Sequence, residues 1–294
     1  MPELPELVGL STYLSSVLRG QLLESLQIAS FTALKTAGVQ PEEILRRAVE
    51  SVRRHGKFVD IEFGASASDP SGIHLIFHLA KAGWLKYAAK SAGEKPAPVK
   101  PGGYITARMI FNDAKIDLTE AGTRKSLAIY LVRSQDEVPG IITLGPDPLS
   151  DEFTLEVLKA ILAPKRAQIK DVLRDQKMIA GIGNAYSDEI LHLARLSPFA
   201  ASNSLTEDQM AALYQSIKSI LREAVEAASG RPASDLKDTK RSGMRVHART
   251  GQDCPECGDT VREVAFADRT LQYCPRCQTG GKLLADRRMS KLLK

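Results

Sequence analysis

Cys254-Pro-Glu-Cys257-Gly-Asp-Thr-Val-Arg-Glu-Val-Ala-Phe-Ala-Asp-Arg-Thr-Leu-Gln-Tyr-Cys274-Pro-Arg-Cys277, near the C-terminus, holds all four cysteines of the 294-residue chain. Two-residue gaps let each pair occupy two corners of a tetrahedron from one tight turn. The sixteen residues between the pairs are about what two short strands and their connection need. The spacing predicts a zinc ribbon over 250–280 with Cys254, Cys257, Cys274 and Cys277 as ligands. Disulfide pairing is the competing reading, disfavoured by a cytoplasmic context and by the lack of any other cysteine. Four thiolates leave no open coordination position, so one Zn²⁺ here is structural and does no chemistry.

The charge balance points to the same end of the chain. From residue 241 onward eleven Lys/Arg face six Asp/Glu, a surplus equal to the formal net charge of +5 for the whole protein. The preceding 240 residues are close to neutral, and a polyanion is drawn first toward the C-terminus. Four thiolates and one Zn²⁺ remove two charges, leaving about +3 for the module. A basic tail over 281–294 is expected to contact phosphates, with simple solvation as the alternative. A composition of 43% hydrophobic and 26% charged residues excludes disorder over most of the chain. Glu3 and Glu6 stand where a signal peptide carries basic residues, and no apolar run approaches the ~18 residues of a membrane span. The expected location is the cytoplasm.

Upstream of a loop at 231–249, the stretch 151–230 has helical periodicity, with Leu155, Val157, Leu158, Ile161 and Leu162 in its first turn pair. Within it Ile179-Ala-Gly-Ile-Gly-Asn184 separates two helices, a pattern that suits either a helix C-cap or a phosphate cradle at the next helix start. An irregular linker covers 134–150. Over 1–133 a helix comes first, with Leu7, Leu10, Leu14, Val17 and Leu18 on one face, ending before Gly20. Strand-like runs follow, including 58–63, 73–77, 104–111 and 127–132. The expected fold is α+β and multidomain: an N-terminal β-sandwich with an N-terminal helix, a helical unit and the zinc ribbon.

Five motifs in order carry a resemblance: Met1-Pro-Glu-Leu-Pro-Glu6, Arg53-Arg-His-Gly-Lys57-Phe58, Thr143-Leu-Gly-Pro-Asp-Pro-Leu149, Lys170-Asp-Val-Leu-Arg-Asp-Gln176 through Gly181-Ile-Gly-Asn184, and the four-cysteine ribbon. The chain resembles the formamidopyrimidine-DNA glycosylase / endonuclease VIII family over nearly its whole length. The resemblance implies that 151–230 is a helix-two-turn-helix domain, and that a monomer clamps damaged double-stranded DNA. It implies a bifunctional glycosylase and abasic-site lyase of base excision repair, acting through an N-terminal proline Schiff base and β,δ-elimination.

The chemistry follows from Pro2. Once Met1 is removed, Pro2 is a secondary amine with a reference pKa of about 8, against about 10.4 for lysine, so a usable fraction is the neutral nucleophile at pH 7. By the resemblance Glu3 is the general acid at the sugar ring oxygen and Glu6 orients the N-terminus, although proline and acidic residues also suit an ordinary first helical turn. Lys57, Asn184 and Arg269 match the family's phosphate-gripping residues. Lys81 falls where many members insert a methionine into the gap left by a flipped base, and Arg124 is left as an opposite-base contact in place of an Arg-Arg-Phe wedge. The short charged loop before the ribbon argues against 8-oxoguanine as best substrate. Trp84, His74 and His78 read as structural. The alternatives are an abasic-site lyase with weak glycosylase activity, a non-catalytic damaged-DNA-binding protein of the same fold and, more distantly, a transcription-type zinc-ribbon module.

Overall fold

The computed structural model describes residues 1–66, 69–91, 97–121, 125–164, 166–266 and 269–285. They form two compact units: Met1–Thr143 with Ala228–Lys237, and Leu144–Ala227 with Asp238–Lys294.

The first unit opens with α1 (Leu4–Leu18). Glu3 caps it, and the Glu6 carboxylate accepts the Glu3 N–H at 2.8 Å, so one orphan amide of the first turn is satisfied. Leu4, Leu7, Leu10, Leu14 and Leu18 follow at helical spacing and are fully buried. Removing such side chains from water contributes about 1.5–3 kcal/mol each.

Eight strands complete the unit: β1 (Leu23–Ile28), β2 (Val49–His55), β3 (Phe58–Phe63), β4 (Ile73–His78), β5 (Gly83–Ala89), β6 (Ile105–Phe111), β7 (Ala114–Glu120) and β8 (Ala128–Val132). They make two antiparallel sheets, ordered β1-β6-β7-β5 and β2-β3-β4-β8. The apolar positions of both sheets share one core with the α1 leucines. On the outer face of the second sheet Phe58, Ile76, Tyr130 and Val132 form a smaller cluster with Val138 and Ile141. Ile141 lies in the one-turn helix α2 (Pro139–Ile142).

The second unit holds α3 (Leu155–Leu162), α4 (Ile169–Arg174), α5 (Asn184–Leu193) and most of α6 (Glu207–Ala228). The sequence predicts a loop over 231–249, but the structure forms α7 (Leu236–Ser242) there. Leu236 is fully buried in the first unit's core, and Lys237 Nζ lies 4.7 Å from the Trp84 ring centroid. One apolar anchor in seven residues gives no periodicity, which is why the helix is invisible in the sequence. Trp84 is core, as expected, though it stands at the beginning of β5 rather than at a strand end. Its indole N–H donates to Ala233 O at 3.2 Å. The ribbon itself is β9 (Arg262–Ala265) paired with β10 (Thr270–Tyr273), followed by α8 (Pro275–Thr279).

Candidate active site and phosphate-contacting residues

Pro2, Glu3 and Glu6 sit together at the start of α1. Pro2 is buried and the two glutamates are each 2% exposed. The cap geometry sets their order: Glu3, in extended conformation, is the last residue before the helix, and Glu6 reaches back to its amide. The first turn therefore presents residue 2 next to two sequestered carboxyl groups.

Lys57 lies in the two-residue turn joining β2 and β3, one position before the strand start read from the sequence. Gly56 occupies the first turn position with φ 55°, a left-handed value that glycine adopts without strain. Arg54 Nη1 donates to Gly56 O at 2.8 Å and braces the turn. Lys57 is 6% exposed and its charge is felt by His78, which pairs with Phe58 across the β3–β4 ladder. Burial, helped by Lys57, pushes His78 down to about 4, so its ring is neutral at pH 7. Its Nδ1 accepts the Ala80 N–H at 3.2 Å, which leaves the proton on Nε2. His78 is thus a neutral donor beside a buried lysine, a placement the sequence reading missed. Only the strand register reveals it.

His74, four residues earlier, has the opposite environment. Its Nδ1 is 2.9 Å from Asp60 Oδ1, and His55 Nε2 is 3.1 Å from Oδ2 of the same carboxylate. The Asp60 hydrogen bond raises His74 above its ordinary 6.5, against the pull of burial. Burial alone would raise Asp60, but bonds from His55 and His74 outweigh it and hold the carboxyl below the usual range. His74 and His55 pin β2, β3 and β4 together behind the Lys57 turn.

Lys81 is exposed in the connection from β4 to β5. Gly83 closes that connection by donating its N–H to Leu79 O at 2.9 Å, and a Cβ at Gly83 would stand 2.0 Å from that oxygen. Arg124 lies outside the described residues.

In the second unit Asn184 begins α5, and its Nδ2 donates to Thr270 O at 2.8 Å. That bond brings Asn184 beside the strand adjoining Arg269. The Arg269 guanidinium is 3.1 Å from Asp171 Oδ1 and 5.0 Å from the Phe266 ring centroid. Before α5, Gln176 ties the glycine loop down, accepting from Gly181 N at 2.9 Å and donating to Ile182 O at 2.7 Å. Buried Lys170 bonds Asp188 Oδ1 at 2.6 Å, Ser187 Oγ at 2.8 Å and Asn184 O at 3.2 Å. Asp188 also meets His247 Nδ1 at 2.8 Å. Glu189 accepts the amides of Arg245, Val246 and His247 at 2.7, 3.0 and 2.8 Å. Burial pushes its carboxyl up while the three amides pull it down, and burial prevails. In the sequence Lys170 stands only inside a motif, and Asp188 and Glu189 belong to none. Two adjacent acids in a short apolar helix were the available signal, because buried charges demand partners.

The four cysteine sulfurs lie within 4.8 Å of one another, with Cys254 to Cys277 at 3.9 Å and Cys257 to Cys274 at 3.4 Å. A tetrahedron of Zn–S bonds near 2.3 Å has edges of about 3.8 Å, so zinc fits. A backbone N–H from Asp259 lowers Cys257, while burial pushes Cys274 up to about 11 and Cys277 higher still. Four free thiols converging on one point are the donor set of a structural zinc site. The chain holds one structural zinc, with no position left for substrate. No helix among the described residues is long and apolar enough to cross a membrane.

Residues 1–129 match the family described as the formamidopyrimidine-DNA glycosylase N-terminal domain, 144–234 the formamidopyrimidine-DNA glycosylase H2TH domain, and 251–280 the zinc finger found in FPG and IleRS. A formamidopyrimidine-DNA glycosylase of Pelotomaculum thermopropionicum is 32% identical over 288 residues, covering 95% of this chain and 99% of its own length. An uncharacterized formamidopyrimidine-DNA glycosylase-like protein of Mycobacterium tuberculosis is 58% identical over 151 residues, 51% of this chain and 94% of that protein. Among solved structures, Lactococcus lactis Fpg in complex with abasic-site DNA superposes with a TM-score of 0.80 at 27% identity, covering 94% and 99% of the two chains. MutM in complex with DNA containing carbocyclic 8-oxo-G gives 0.80 at 26%, covering 95% and 100%. With the three parts matched in order and a relative above 30% identity aligned over nearly its full length, this chain belongs to the formamidopyrimidine-DNA glycosylase family.

Proposed function

We propose that this chain excises damaged bases from double-stranded DNA and cleaves the strand at the resulting abasic site, with Pro2 as nucleophile. The observation that carries the reading is the buried Pro2 held at the first turn of α1 beside two sequestered carboxyl groups. After Met1 is removed, the Pro2 nitrogen lone pair attacks C1′, and the base departs with the electrons of its glycosidic bond and takes up the proton that the Pro2 nitrogen sheds. Glu3 delivers a proton to O4′ as the C1′–O4′ bond opens, leaving a C1′ iminium. The iminium acidifies C2′–H, whose loss expels the 3′ phosphate, and a second elimination expels the 5′ phosphate. Glu6, engaged by the Glu3 amide, orients the N-terminus. Lys57 grips phosphate from the first unit. From the second, Asn184 offers the Nδ2 proton that Thr270 does not take, and Arg269 exchanges Asp171 for a phosphate oxygen. The fold acts in the cytoplasm, where thiols stay reduced for zinc. Borohydride trapping on an abasic-site duplex tests the reading. A covalent adduct forms at residue 2 of the processed protein and is absent with Met1 retained.

A second reading, an abasic-site lyase with weak glycosylase activity, is favoured by the exposed Lys81, since a flipped base leaves a gap best filled by an apolar wedge. If it holds, Lys81→Met raises base excision by about tenfold or more relative to abasic cleavage. Equal rates in the two proteins argue for the full glycosylase. A panel of lesions that includes 8-oxoguanine, ring-opened purines and oxidised pyrimidines decides substrate preference.

A further inference from the structure

His192, on α5 in the second unit, aims Nε2 at Cys254 Sγ across 3.2 Å. Both residues are sealed from solvent, His192 at 1% and Cys254 at 2% exposure. The other ring nitrogen, Nδ1, is buried with no hydrogen-bond partner among the described residues. These two facts fix the tautomer. A proton on Nδ1 would be a buried donor with nothing to receive it, and a zinc-bound thiolate has no proton to give. The proton belongs on Nε2, and the bond runs from imidazole to sulfur.

We infer that His192 is an outer-sphere donor to the zinc-bound thiolate of Cys254, a positioning residue for the metal centre supplied from outside the ribbon. Cys257 and Cys274 take their donors from the backbone amides of Asp259 and Cys277, within the ribbon itself. Cys254 takes a side chain from α5, the helix that begins with Asn184. A four-thiolate zinc site carries a formal charge of −2, and an N–H aimed at one sulfur draws part of that charge off, making the thiolate less nucleophilic. The same bond makes retention of zinc depend on the seating of the ribbon against α5.

The test uses the full-length zinc-loaded protein and follows zinc release into a metallochromic chelator, with and without limiting hydrogen peroxide. His192→Phe keeps an aromatic ring and removes the donor, and release is expected to quicken by about tenfold, most with peroxide. His192→Gln retains an N–H directed at the sulfur and is expected to stay near the wild-type rate. In the cobalt-substituted protein His192→Phe is expected to shift the sulfur-to-cobalt charge-transfer band while the d–d bands remain those of a four-sulfur tetrahedron. Release at the wild-type rate by His192→Phe, or equal acceleration by both variants, overturns the donor role. A change in the d–d bands from a three-sulfur, one-nitrogen pattern to four sulfurs overturns it too, by making His192 a ligand.

Discussion

His74 and His78 share one face of β4, four residues apart, and meet opposite charges: the Asp60 carboxylate and the Lys57 ammonium. The account predicts that in an NMR titration His74 titrates above 6.5 and His78 near 4, and that Asp60→Asn removes the upward shift of His74. Titration of both rings together near 6.5 would contradict it. The stability consequences follow in sign. The raised His74 contributes fully below 6.5 and its contribution is lost as pH rises through its folded value. The lowered Asp60 contributes above 3.8 and loses its contribution as pH falls through its own folded value. His78, held neutral, destabilises the fold progressively as pH drops from 6.5 toward 4. Sequence alone shows two histidines at i and i+4 and gives no ground for separating them. The difference arises from partners on β3 and in the turn before it.

Helix α5 concentrates the buried charge of the second unit, with Asp188 and Glu189 turned to Lys170, His247 and three consecutive amides. Glu189→Gln replaces one acceptor oxygen with a donor facing an N–H, and a loss of about 1–3 kcal/mol in unfolding free energy by urea titration is expected. An unchanged midpoint would show that these amides find other acceptors. How much of each element the sequence discloses depends on burial. Strands β3, β4 and β6 are interior to their sheets and read as near-continuous apolar runs. Edge strands β1 and β2 are more polar and do not stand out, edge β5 carries only Lys86 as a charge but leaves its second half exposed, and edge β8 is apolar and legible. Interior β7 is masked by charge, because its Asp117 is spent on a bidentate bond to Arg108 of β6 at 2.6 and 2.8 Å. The α1 leucines and the cysteine knuckles were legible because their spacing alone states their geometry. The clamp built by Lys170, Asp188 and Glu189 is not, because its partners lie 14 to 59 residues away.

At the scale of the whole molecule, the formal charge surplus lies in the C-terminal region, and residues 286–294, outside the described structure, carry Arg287, Arg288, Lys291 and Lys294 against Asp286. Each phosphate neutralised adds about 0.9 to the slope of log affinity against log salt. Truncation after Ala285 is predicted to weaken DNA binding and flatten that slope by about one to three units, read by fluorescence anisotropy at several salt concentrations. An unchanged slope would make the tail a solvated appendage. The zinc ribbon, the helical unit and the sandwich are each accounted for by the sequence patterns that first suggested them, and the family relation joins them into one enzyme. What remains specific to the claim of catalysis is the N-terminal amine. Borohydride reduction of the processed protein on an abasic-site duplex, followed by mass spectrometry of the adduct, is the direct measurement. The predicted result is one DNA fragment bound covalently to Pro2 and none when Met1 is retained ahead of it. An adduct on a lysine, or no adduct on any abasic or lesion-bearing duplex, would contradict the account.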